Sequence, residues 1–107
     1  MDFGSLNKMK NGWFIGDFEP SFHKSDLVEV AVKYYKKGDY EQRHFHKVAT
    51  EFTLIVDGEV EMNGNILKKG EIVKILPGES TDFKVLKDTI TVVVKLPSIK
   101  NDKFISL

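Results

Sequence analysis

The chain contains no cysteine, so a disulfide framework, a thiol nucleophile and a zinc-thiolate site are all excluded, and any metal would have to be held by His, Asp or Glu. Long apolar runs are also missing. No uninterrupted stretch exceeds three residues, as in Leu54-Ile55-Val56, and the opening MDFGSLNKMKNGWF has no signal-peptide core, so a cytoplasmic location without membrane partners is expected. Charge of one sign is absent as well. Sixteen Lys and Arg balance sixteen Asp and Glu, which leaves no net field to attract nucleic acid or anionic lipid. Segments with the three- and four-residue apolar spacing of an amphipathic helix are lacking too.

What the sequence does have is 107 residues, 41% of them hydrophobic and 30% charged, the size and composition of one globular domain. Short alternating runs separated by turn residues point to antiparallel β structure throughout. Val28, Val30, Val32 and Tyr34 alternate with Glu29, Ala31, Lys33 and Tyr35 up to Lys37-Gly38. Phe52 to Val56, Asp57-Gly58 and Glu59 to Met62 read as a hairpin, with further turns at Asn63-Gly64-Asn65, Lys69-Gly70 and Pro77-Gly78. Two more strands, Thr81 to Leu86 and Thr89 to Leu96, are expected on either side of Lys87-Asp88. Residues 1–12 and 98–107 are expected to be arms that fray or pack on a neighbour.

Three histidines are present, and His44 and His46 stand two apart, which on a strand turns both imidazoles to one face. Glu51 has the opposite parity and joins them only if Lys47 to Thr50 bends the chain onto the next strand. A two-histidine, one-carboxylate set of this kind suits Fe, Mn, Ni or Zn and leaves coordination positions open; the plainer reading is a polar strand face. Gln42 and Tyr40 share the histidines' parity and are candidates for the same pocket. His23 has no partner at ligand spacing. Trp13, Phe14 and Phe18 form an aromatic cluster suited to covering the end of a barrel, and Phe104 and Ile105 suggest docking.

Gly38, His44, His46, Glu51 and Gly58, in GDYEQRHFHKVATEFTLIVDG, reproduce the spacing of the first cupin motif. By composition, a chance match at these five positions has odds on the order of a few in 10⁵. The stretch GEIVKILPGESTDFKV resembles the second motif in part: Leu76 stands at its first proline, Thr81 at its third histidine and Val85 at its asparagine. The chain thus resembles the cupin superfamily over residues 26–96. The resemblance implies a single-domain, all-β jelly-roll barrel of eight to ten strands, commonly dimeric, with a site in its interior. It also implies His44, His46 and Glu51 as ligands of a divalent metal. Asp82 could replace Thr81 as a ligand only through a bulge. Thr53, Ile55, Val73, Ile75, Phe83 and Val92 would line the interior, with Thr81 and Phe83 at the pocket.

Three functions stay open on these residues. One is a metal-dependent cupin acting on a small molecule, with sugars and sugar phosphates among the classes its relatives use. Another is a non-catalytic module binding a small polar ligand without metal, which Thr81 suits. The last is a structural cupin whose dimer surface is the functional part.

Overall fold

The computed structural model describes residues 1–106. Nine strands are present: β1 (Trp13–Gly16), β2 (His23–Lys24), β3 (Glu29–Tyr35), β4 (Tyr40–His46), β5 (Thr50–Met62), β6 (Asn65–Lys68), β7 (Ile72–Ile75), β8 (Thr81–Leu96) and β9 (Lys103–Ile105). The one helical element among the described residues is a single 3₁₀ turn, Leu6–Lys8. None of their helices is long and apolar enough to cross a membrane.

Two long strands organise the molecule. β5 and β8 pair antiparallel from Thr50↔Leu96 to Glu61↔Lys84, and the register shifts three times between Ile55 and Val60. The C-terminal half of β8 lies between β3 and the first half of β5, whose other edge takes β7. The N-terminal half of β8 lies between β4 and the second half of β5, whose other edge takes β6. β5 and β8 therefore belong to two half-sheets at once and bend between them, which is how a jelly roll folds over its interior. The ladder is not closed into a ring.

This arrangement corrects two turns expected from the sequence. Asp57-Gly58 is not a hairpin turn, and Lys87-Asp88 does not divide two strands; the two steps form the facing corners of β5 and β8. Gly58 takes φ 103°, and a β-carbon there would strike the Asp88 carbonyl and Thr89. The Thr89 hydroxyl donates to the Lys87 carbonyl at 2.7 Å and accepts from the Glu59 amide at 3.2 Å, which fixes the corner. The Asn63-Gly64 turn does form, with both residues at positive φ and Met62 paired to Asn65.

Ile55, Val60, Met62, Leu67, Ile75, Phe83 and Val85 make the apolar core, to which Val73 and Tyr35 add partly buried surface. Val92 departs from its expected place. In the C-terminal half of β8 the buried residues are Thr89, Thr91 and Val93, so Val92 lies on the outer face. The outer face of the adjoining β3 is covered by the N-terminal segment, where Val32 shares an apolar cleft with Leu6, Met9, Phe14 and Phe22. The covered outer face absorbs the β-branched row and leaves polar residues to line the inside.

The segment expected as a C-terminal arm packs on its own chain. β9 pairs with β4 through His44↔Ile105, Phe45↔Phe104 and His46↔Lys103, and Phe104 stacks on Phe45 at 5.5 Å. Leu107, the last residue of that expected arm, lies outside the described residues.

Candidate functional site

Between the half-sheets lies a cavity of about 210 Å³. One wall is formed by Lys33 and Tyr35 of β3, Glu51 and Thr53 of β5, and Thr91, Val93 and Lys95 of β8. Opposite them stand Glu41, His44 and His46 of β4, Thr81 and Phe83 of β8, and Lys103 of β9. Trp13 of β1 closes one side, with Phe18 edge-on to it at 6.3 Å.

The bend that Glu51 needs is present, and a residue from a distant part of the chain holds it. The Asp102 carboxylate accepts the Lys47 amide at 3.0 Å, the Val48 amide at 3.0 and 3.2 Å, and the Ala49 amide at 2.9 Å. These three donors would otherwise be left without acceptors where the chain turns from β4 into β5. Glu51 thereby arrives with its Oε1 3.4 Å from His46 Nε2.

Each imidazole is tied at its other nitrogen. His44 Nδ1 lies 2.8 Å from the Gln42 carbonyl and His46 Nδ1 lies 3.2 Å from the Asp102 carbonyl. A carbonyl can only accept, so both Nδ1 atoms carry the proton and a neutral ring keeps its lone pair on Nε2. His46 Nε2 is fully buried and makes no hydrogen bond. His44 sits edge-on to His46, with ring centroids 5.4 Å apart. Among the described residues, no three His, Asp or Glu side chains converge tightly enough to form a ready-made metal cage.

Burial pushes the Glu51 carboxyl up, but His46, the Lys95 ammonium at 4.0 Å and the Thr53 hydroxyl at 2.9 Å together hold it below the usual range. Tyr35, half-buried and beside Glu41, is pushed far above its ordinary value and stays a phenol that donates toward Glu41 Oε1 at 3.5 Å.

Two of the expected pocket residues lie elsewhere. Gln42 is exposed and Tyr40 is 57% exposed. The cause is a bulge in β4: Glu41 faces Phe83 and His44 faces Thr81, three steps against two, so the inward parity switches. Glu41 enters the cavity with the histidines and Gln42 does not. Thr81 and Phe83 do line the cavity, and Thr81 pairs directly with His44. Asp82 turns away and accepts the Asn63 amide at 3.0 Å, and His23 is exposed on β2. Parity alone missed Glu41, Lys33, Tyr35, Lys95 and Lys103. A usable signal is Lys33 and Lys95 on the rows that alternate with the valines, Glu29-Ala31-Lys33-Tyr35 and Thr89-Thr91-Val93-Lys95, since a charge on an inward row marks a wet interior.

No protein-family profile and no curated protein sequence matches the chain. Solved structures do match it. An uncharacterised protein with a double-stranded β-helix domain from Klebsiella pneumoniae superposes with TM-score 0.69 at 22% identity, over 77% of this chain and 72% of that one. An RmlC-like cupin from Shewanella frigidimarina gives 0.65 at 18% identity, over 71% of each chain. Oxalate decarboxylase from Bacillus subtilis, described with Mn(II) centres, gives 0.65 at 16% identity over 76% of this chain, which spans only 24% of that protein. At such identities the likeness is one of fold, and the chain has the cupin double-stranded β-helix fold that the first motif implied.

Proposed function

We propose that the cavity binds a small polar molecule beside a divalent transition-metal ion held by His44, His46 and Glu51. The observation that carries this reading is the gap between His46 and Glu51. His46 Nε2, buried and without a hydrogen bond, faces a Glu51 carboxylate oxygen at 3.4 Å, and a cation between them satisfies both atoms. Two donors on a tetrahedral ion with bonds of about 2.1 Å stand about 3.4 Å apart, so the pair suits an ion such as Zn²⁺. The carbonyls on both Nδ1 atoms are the outer partners that metal-binding imidazoles use to fix their tautomer. Oxalate decarboxylase, a neighbour in fold, is described with Mn(II) centres, which supports Mn among the candidates.

A divalent ion at this position would act as a Lewis acid on an oxygen of the bound molecule. The chain's own groups do the rest. Glu41 offers an acceptor and Tyr35 a donor within one hydrogen-bonded pair, which gives the cavity the acid and base partners that proton movement needs. Thr81 offers a hydroxyl to a ligand, and Phe83 and Trp13 screen the site from water.

A second reading has its own observation. No three donors converge, and a proton on His46 Nε2 also satisfies the gap as an imidazolium–carboxylate pair, which makes a metal-free binding module. Elemental analysis of protein purified without chelator, beside a His44→Ala/His46→Ala variant, separates the two. About one ion per chain in the wild type and none in the variant is expected for the metal site. No metal in either, even after soaking with Fe, Mn, Ni and Zn salts, overturns it in favour of the metal-free pocket.

A further inference from the structure

Three lysines reach the cavity, and two of them share one aromatic ring. Lys33 Nζ stands 5.4 Å and Lys95 Nζ 5.1 Å from the centroid of Trp13, within the range of a cation–π contact. Lys103 is placed by its pairing with His46, because directly opposed residues of an antiparallel ladder point to the same face. Lys95 touches one carboxylate, Glu51, at 4.0 Å, and its side chain is only 17% exposed. Among the described residues neither Lys33 nor Lys103 makes an ion pair, although both line the cavity.

Lys103 is exposed, but holding Lys33 and Lys95 together in a half-buried space is unfavourable unless something offsets it. Burial lowers the Lys33 pKa, Glu41 opposes that shift, and Lys95 and Lys103 lower it further. The indole face offsets part of the cost. Glu51 offsets more of it at Lys95, but Lys33 has no carboxylate at ion-pair distance among the described residues, which leaves a position for an anion that is not part of the chain. The lining sets Glu41, Glu51 and Glu79 against the three lysines, and Glu41 and Glu51 both act on Lys33, so the cationic character is confined to the face of Trp13, where Lys33 and Lys95 converge.

We infer that the corner formed by Trp13, Lys33 and Lys95, faced by Lys103 from the opposite wall, is a subsite for the carboxylate or phosphate of a small anionic ligand. This rests on the reading of the cavity as a small-molecule site and names its substrate class: a molecule with one anionic end on the lysines and an oxygen-bearing end against His44, His46 and Thr81. At about 210 Å³ the cavity is below the roughly 300–1,000 Å³ of pockets for drug-sized ligands, so the molecule is a small acid or phosphorylated fragment rather than an oligosaccharide. Lys33 and Lys95 lie outside both motif segments, so this specificity belongs to the chain's own β3 and β8 and not to the histidine-bearing spacing.

Trp13 is the only tryptophan, so its emission reports on this corner. The test titrates the full chain, stripped of metal, with malonate, with inorganic phosphate and with glycerol as a neutral control, all at fixed ionic strength. A saturable change in emission is expected with malonate or phosphate and none with glycerol, and the better anion tells carboxylate from phosphate. Lys33→Met/Lys95→Met should weaken binding at least about tenfold, while Lys33→Arg/Lys95→Arg keeps most of it. If the double Met variant does not fold, Lys95→Met alone is judged by the same criterion.

No saturable change with either anion overturns the subsite, as does unaltered affinity in a folded Met variant. Binding that ignores the lysines but is lost in His44→Ala/His46→Ala also overturns it, by placing the anion at the histidines. Lysine-dependent binding in a chain that elemental analysis finds free of metal supports the subsite while sinking the metal reading, so the two fail separately.

Discussion

Glu29 starts the row of β3 residues that continues through Ala31 and Lys33, and burial raises its pKa above 4.5 despite Lys95 and the Ser98 hydroxyl. A raised carboxyl means that, between 4.5 and its native value, the folded chain holds a proton that the unfolded chain has released. Stability from this group is therefore fully present below about pH 4.5 and is lost as pH rises through the native value. Glu29→Gln removes that slope. The variant should gain in Tm relative to the wild type at pH 7 and lose that gain at pH 4. A difference in Tm that stays constant from pH 4 to 7 would show that Glu29 folds without a proton penalty. The same residue shows why the interior was only partly legible in the sequence. Alternation located β3 and β8 but not which row faces inward, because the valines suggested one face and the N-terminal segment covers that face from outside. His44, His46 and Glu51 were legible because fixed spacing carries them. Glu41 was not, because a one-residue bulge between it and His44 leaves no mark in an alternating pattern.

At the scale of elements, the site depends on the turn between β4 and β5, and that turn depends on Asp102. Asp102→Ala removes the acceptor for three backbone amides, one of them buried, and should cost about 2–4 kcal/mol in urea denaturation. Asp102→Asn keeps one carbonyl oxygen and should cost about half as much. Because the same turn delivers Glu51 to His46, ligand or metal affinity should fall in the same order. An Asp102→Ala chain as stable as wild type would mean that β9 is held by its pairing with β4 alone. Turn chemistry also separates what was readable from what was not. Asn63-Gly64 turns the chain as its residues suggest, whereas Asp57-Gly58 stays within β5, since the same dipeptide serves a corner when a second long strand lies across it.

For the whole molecule, the pairings that close the cavity join distant parts of the chain. β3 meets β8 from Glu29↔Lys95 to Tyr35↔Thr89, and among the described residues only β5 with β6 forms a tight local hairpin. Chains dominated by such non-local pairing fold in milliseconds to seconds rather than microseconds. Stopped-flow refolding followed by Trp13 emission should show its main phase in that range. A main phase in the microsecond range would mean that local structure, which the registers do not offer, limits folding. The jelly-roll fold was legible as a whole because turn spacing and the first motif agree. The covering role of Trp13 and Phe18 was legible in their aromatic cluster, but the packing of residues 1–12 on β3 and the pairing of β9 with β4 were not, since neither segment alternates in a way that names its partner.

During synthesis Asp102 follows the amides it caps by 53 to 55 residues. At about 5–20 residues per second, a ribosome needs on the order of 3–10 s to cover that distance. For that interval the nascent chain carries both histidines and Glu51 on an uncapped bend. A metal ion or anion met early would find scattered donors and not a cavity, so any loading of the site would be a late event in the life of each chain.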